Sequence, residues 1–296
     1  MDIKLLGPLQ AQAGGRAFVP SAAKPRQILA LLALGAGRMV TVPTLMTELW
    51  KDAPPPSAAT TVQTYVLQIR KGLDAALGEP GAGKSVLATR YGGYSLDVPL
   101  DQVDVHAFER LAEEGRAAAD RGDTETASRT LARALDMWRG APLTDVRTGP
   151  VLRREVVRLN EVRLSLLDAR IETDLERGKH GDLLGELTAL TAAYPLNENL
   201  WAHLMTALHR TGHRWRALEA YRRLREIMVE ELGLEPSSRL RRLHQAILSG
   251  DGAEQHPATR AGRPAPAGRR PEPAEQNGLK RRPGGLLVPP GPLAAH

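Results

Sequence analysis

Ser57-Ala-Ala-Thr-Thr-Val-Gln-Thr-Tyr-Val-Leu-Gln-Ile-Arg-Lys-Gly-Leu73 runs into a Gly-rich turn, and Ser85-Val-Leu-Ala-Thr-Arg-Tyr-Gly-Gly-Tyr-Ser-Leu-Asp-Val98 follows it. In the first segment Val62, Val66, Ile69 and Leu73 recur at helical spacing and share one face. At about 100° per residue, Thr60, Thr64 and Lys71 fall on the opposite face, with Gln63 and Gln68 at its margins. The second segment reads as a hairpin turning at Gly92-Gly93, because a two-residue turn favours the positive φ that glycine adopts at little cost. No acid stands between Ser57 and Leu73. Solvated helix faces usually mix Glu with Lys. This face carries uncharged hydrogen-bonding side chains and one cation, which suits a major groove of donors, acceptors and thymine methyls. Thr60, Thr64 and Gln68, with Gln63 beside them, are the candidate base-reading residues. Arg70, Lys71 and Arg90 are the candidate phosphate contacts, and Tyr91, Gly92 and Gly93 form the edge and turn of the hairpin. A plain solvated face is the alternative reading.

Upstream, Asp2–Pro8 and Arg16–Val19 read as short strands around a Gly14-Gly15 turn. Lys24–Leu34 reads as a helix that tolerates Pro25 in its first turn and ends at Gly35 and Gly37. Thr41–Trp50 is a second, shorter helix, broken by Lys51-Asp-Ala-Pro-Pro-Pro-Ser57. A small sheet, three helices and a hairpin is the order of a winged helix, whose third helix enters the groove. The fold class expected is mainly α with small β: a winged helix at residues 1–98, then a helical domain.

Charge supports the division. The 296-residue chain has a formal charge of +6 and a pI near 9.8. Residues 1–100 hold ten Lys and Arg against six Asp and Glu, whereas residues 101–250 hold 23 against 24. A basic module joined to a near-neutral one suggests that the first meets polyanion and the second meets protein. With no cysteine in the chain, disulfides, thiolate catalysis and Cys-ligated zinc are excluded. No secretory signal and no long apolar run is present, so no membrane is expected as partner and a cytoplasmic, nucleoid-associated protein is.

Pro99–Asp104 reads as a linker. From Val105 to about residue 250 the pattern is helical, with Gly and Pro only at breaks. Leu175-Glu-Arg-Gly178 recurs as Leu208-His-Arg-Thr-Gly212, a step of 34 residues. Trp201, Gly212, Ala217 and Tyr221 match the spacing of a tetratricopeptide helix pair. A generic helical bundle is the alternative. Residues 251–296 scatter prolines among Gly, Ala and Arg, and a disordered tail is expected there.

Gly78-Glu-Pro-Gly-Ala-Gly-Lys-Ser85 matches the phosphate-loop pattern letter for letter. That chemistry needs a strand entering the loop and a helix leaving it. Here a helix enters and the β-rich Ser85–Thr89 leaves, so no nucleotide is expected. The eight histidines show no metal-ligand spacing; His209 and His213 are separated by Gly212. The expectation is no enzyme, no cofactor and no metal.

The chain resembles the Streptomyces antibiotic regulatory proteins. The resemblance is carried by Pro25-Arg-Gln-Ile-Leu-Ala-Leu-Leu32, Leu49-Trp50, Thr61-Val-Gln-Thr-Tyr-Val66, Ile69-Arg70, Thr89-Arg-Tyr-Gly-Gly-Tyr-Ser-Leu-Asp-Val98 and Asp104-Val-His-Ala-Phe108. It continues through Arg139-Gly-Ala-Pro-Leu143, Trp201-Ala-His-Leu-Met205, Ala217-Leu-Glu-Ala-Tyr221 and Leu232-Gly-Leu-Glu-Pro236. It implies a response-regulator-type winged helix followed by a bacterial transcriptional activation domain at residues 105–250. It also implies an activator of a secondary-metabolite gene cluster that binds direct repeats in double-stranded DNA. Its implied partners are other copies of the chain on DNA and RNA polymerase holoenzyme with its sigma factor. No phosphate-accepting receiver domain is read, so phosphorylation is not the expected switch. The rival readings are a tetratricopeptide-type interaction scaffold and a nucleotide-binding protein using Gly78–Ser85.

Overall fold

A computed structural model describes residues 1–250; the tail expected at 251–296 lies outside the described residues. The chain divides into two compact units, Met1–Ala189 and from Leu190 onward.

The first unit begins with an antiparallel sheet of β1 (Asp2–Lys4), β2 (Gln10–Ala13) and β3 (Arg16–Ala17). Two strands were expected here and three form. The added one, Gln-Ala-Gln-Ala, alternates exposed and buried residues as a half-buried strand does. Gly14 and Gly15, both at positive φ, join β2 to β3. Helix α1 (Ala23–Leu34) is followed by β4 (Met39–Thr41), α2 (Val42–Trp50), α3 (Ala58–Leu77), α4 (Ala82–Val86), β5 (Leu87–Arg90) and β6 (Gly93–Leu96). The second sheet has the order β4-β6-β5, all antiparallel. Thr41 caps α2 by accepting from the Thr44 N–H at 3.2 Å. Val62, Val66, Ile69 and Leu73 of α3 are all at most 1% exposed. Each contributes about 1.5–3 kcal/mol by burial, which fixes which face of α3 is left outside.

Helices α5 (Asp104–Asp120), α6 (Thr124–Leu135) and α7 (Pro150–Glu176) complete this unit, and α8 (Leu184–Ala193) begins in it. One apolar core runs from Ile3 and Leu29 through Ile69 and Leu96 to Phe108, Leu152 and Leu159. The segment expected as a linker, 99–104, is tied into it. Val103 bridges Ile3, and the buried Asp104 carboxylate accepts from the Leu5 and Leu6 N–H groups at 2.7 and 3.0 Å. Burial pushes the Asp104 carboxyl above its ordinary 3.8, against the lowering effect of those two bonds and of Arg139.

The second unit holds α9 (Glu198–Arg210), α10 (Arg214–Leu232) and α11 (Ser238–Ser249). The helical repeat shows in two turns of the first unit and one of the second. Gly122, Gly178 and Gly212 all take φ near +80° directly after a helix. Each turn closes with the same pair of bonds. Asp123, Lys179 and His213 donate to the carbonyls of Ala118, Asp174 and Leu208, while the glycine N–H reaches the carbonyl three residues back. This is the Schellman stop, used three times. At the α5–α6 crossing, a Cβ on Gly115 would meet Leu131 Cδ2 at 2.5 Å, so a glycine is what lets these helices approach. Among the described residues no helix is long and apolar enough to cross a membrane.

Candidate nucleic-acid interface

Thr60, Gln63, Thr64, Gln68 and Lys71 are all exposed on α3, as the helical spacing requires once Val62, Val66, Ile69 and Leu73 turn inward. Among the described residues the side chains of Thr60, Gln63, Gln68 and Lys71 have no partner. The Thr64 hydroxyl donates to the Thr60 carbonyl at 3.1 Å, so its proton is committed while its lone pairs stay open. The first acid after this face, Asp74, lies one turn beyond Lys71 and is occupied, accepting from the Gly83 N–H at 2.6 Å.

The reading of the sequence missed Leu67. It is 51% exposed and stands within one turn of Thr64 and Lys71. The signal was available: counted from Thr60 at about 100° per residue, position 67 lies between 60 and 63 on the wheel, inside the polar face.

The hairpin beside α3 is built differently from expectation in three respects. First, Ser85 and Val86 belong to the short helix α4 and the strand starts at Leu87. The two connecting residues are therefore Tyr91 and Gly92, because Arg90 pairs with Gly93. Gly92 supplies the positive φ (+79°). Gly93 is needed for another reason: a Cβ there would overlap the Val40 carbonyl of the neighbouring strand. Second, Arg70 is held inside the wing. Its Nε and Nη2 donate to the Leu87 carbonyl at 2.9 and 2.6 Å, and Nη2 reaches Thr89 Oγ1 at 2.8 Å. Third, Arg90 donates to Ser95 Oγ at 2.9 Å and pairs with Asp97 at 2.6 Å, and about half of its side chain remains exposed. The Arg70 contacts depend on how the wing folds back on α3, and Ser95 becomes the diagonal neighbour of Arg90 only once the turn is placed at Tyr91-Gly92. Tyr91 is fully exposed at the tip, and the Gly92 carbonyl accepts from the Val42 N–H at 2.9 Å, which hooks the tip to the start of α2.

The phosphate-loop look-alike has a backbone account. Gly78 ends α3 in the left-handed region and Gly81 turns the chain the same way. A Cβ on Gly83 would overlap the Arg70 carbonyl, so glycine lets α4 pack on α3. The expectation that a strand leaves this loop is corrected: the five-residue α4 leaves it. The entering element is α3, a helix, as expected. One amide of that turn is already occupied by Asp74.

A second polar cluster lies where α2 meets α7. Glu48 is 2% exposed. Its carboxylate accepts from the N–H groups of Gly149, Val151 and Leu152 at 2.5, 2.9 and 3.0 Å, and from Gln27 Nε2 at 2.6 Å. Three of these donors are unpaired amides at the start of α7, where the helix dipole favours an anion. The carboxylate thus holds the 27-residue α7 against the helix that precedes α3.

Two families match the chain. "Transcriptional regulatory protein, C terminal" matches residues 16–96 and "Bacterial transcriptional activator domain" matches residues 103–248. Regulatory protein DnrI of Streptomyces peucetius is 54% identical over 253 residues, covering 85% of this chain and 93% of that protein. Regulatory protein AfsR of Streptomyces coelicolor is 39% identical over 84% of this chain, which spans 24% of that longer protein. Among solved structures, Mycobacterium tuberculosis EmbR, in complex with a low affinity phosphopeptide, superposes with a TM-score of 0.78 at 35% identity. That match covers 84% of this chain and 65% of EmbR.

Proposed function

The chain belongs to the Streptomyces antibiotic regulatory protein family of transcriptional regulators, and on that premise we propose that it activates a secondary-metabolite gene cluster by binding direct repeats near its promoters. The observation that carries this reading is the outer face of α3. Four polar side chains there have no partner within the described residues, no acid lies among them, and the buried stripe behind them prevents the helix from rotating. Thr60, Thr64 and Gln68, with Gln63 at the margin, read base edges in the major groove. Lys71 and the half-exposed Arg90 attract phosphate, and Arg70 sets the angle between α3 and the wing. Tyr91, Gly92 and Gly93 carry the wing tip to the adjacent backbone.

Direct repeats call for subunits arranged head to tail, so copies of the chain assemble on DNA through unlike surfaces. The near-neutral helical region at 105–250 suits protein contacts, with a neighbouring copy and with RNA polymerase holoenzyme including its sigma factor. Protein contacts between adjacent copies raise the effective concentration of each for its repeat.

Gel retardation of the full chain on DNA upstream of its neighbouring gene cluster, against scrambled duplex at two salt concentrations, tests the reading. Preference for the upstream DNA that survives added salt is the expected result. Transcription with purified polymerase on the same DNA should rise with the protein. Equal, salt-sensitive binding to both duplexes would contradict the proposal and leave the helical region as an interaction scaffold.

A further inference from the structure

The residue midway along the outer face of α3 is apolar. Leu67 is tenth in the 20-residue helix, 51% exposed, and surrounded by Gln63, Thr64, Gln68 and Lys71. A lone exposed leucine needs no explanation on an ordinary surface. Here its neighbours are the side chains left open for a ligand, and the buried face of α3 fixes its direction outward. In the major groove the only apolar group a base pair presents is the 5-methyl of thymine. We infer that Leu67 is a specificity-determining residue that packs on a thymine methyl at the centre of each repeat; this rests on the reading that α3 enters the major groove.

The arrangement around it fits the same base pairs. Thr64 has given its hydroxyl proton to the Thr60 carbonyl. What it offers outward is lone pairs, which accept from the exocyclic amino group of adenine or cytosine. An A·T pair supplies both an amino donor and a methyl in one groove, so the centre of the repeat is A·T-containing.

The test uses the full chain and a duplex that it enriches from a random-sequence library. Each thymine in one repeat is replaced in turn by deoxyuridine, which removes the methyl and keeps the pairing edge. Affinities are measured for the wild type and for Leu67→Ala, an exposed change to the strongest helix former, which keeps the fold. In the wild type one replacement should weaken binding about fourfold, the worth of one buried methyl-sized group. In Leu67→Ala the same replacement should have no effect. Wild-type indifference at every thymine, with sequence preference intact, would overturn the Leu67 inference and leave the groove reading standing. Equal sensitivity in Leu67→Ala would assign the methyl to another residue and overturn it as well. Failure of the wild type to enrich any duplex would remove both.

Discussion

On the outer face of α3, Thr60, Gln63, Gln68 and Lys71 hold no partner within the described residues; a short distance back along the chain, Glu48 of α2 accepts four hydrogen bonds while 2% exposed. Both sets of polar groups belong to the same winged helix, and they do opposite things. A buried carboxylate must be saturated, because an unmet charge costs more than any bond returns. Once saturated it fixes position. A polar group left open at the surface costs nothing in water and remains available. The contrast separates residues that set the frame from residues that read.

The largest expected effect is at the frame. Glu48→Ala strips three α7 amides and Gln27 of their acceptor in a closed site, and should destabilise the protein by about 3–5 kcal/mol. Urea unfolding of the full chain would measure it, and a loss below about 1 kcal/mol would show that the α7 amides find water instead. Since Glu48 lies on the helix before α3, the variant should also bind DNA less well although no reading residue has changed.

Two neighbouring cations sharpen the comparison. Lys71 is uncommitted, and Arg70 is bonded to Leu87 and Thr89. Lys71→Ala should lower the slope of log K against log salt by about one unit and weaken specific and random DNA alike. Arg70→Ala should cost affinity by releasing the wing, with specific binding weakened more than random binding. Reversed behaviour in the two variants would mean that Arg70 leaves the wing when DNA arrives.

Much of this frame was legible in the sequence, for reasons that can be located. The α3 stripe was legible because four large apolar residues at helical spacing leave one register. The glycine turns at 178 and 212 were legible because a left-handed residue after a helix is nearly always glycine. Strands β2 and β4 were not, since three or four residues hold too few alternations to show a period. Glu48 was illegible in principle. A Glu in an amphipathic helix reads as solvent-facing, and its three backbone partners at the start of α7 lie about 100 residues further along. The partners of Arg70, 17 and 19 residues on, depend on how the wing folds back against α3, and those of Arg90 on the exact position of the hairpin turn. The wing turn lies one residue earlier than expected, because both glycines of Gly92-Gly93 offered a turn while only one makes it.

The smallest effect is a pH dependence at Asp104. Its carboxyl is raised above 3.8 chiefly by burial, so the stability it contributes is full below 3.8 and is lost as pH rises through the raised value. Against Asp104→Asn as reference, wild-type stability should decline over that window. A rise over it would mean that the bonds from Leu5 and Leu6 and the charge of Arg139 outweigh burial.

The division between frame and reading face is tested most directly by one variant, Thr60→Ala/Thr64→Ala/Gln68→Ala, measured as a ratio of affinities for an enriched duplex and its scrambled counterpart. All three side chains are exposed, so unfolding should be unchanged, and removing each base-reading side chain should cost about 1–3 kcal/mol of discrimination. The account predicts that the ratio collapses while binding to scrambled duplex persists. A ratio that stays at the wild-type value, in a protein of wild-type stability, would contradict it.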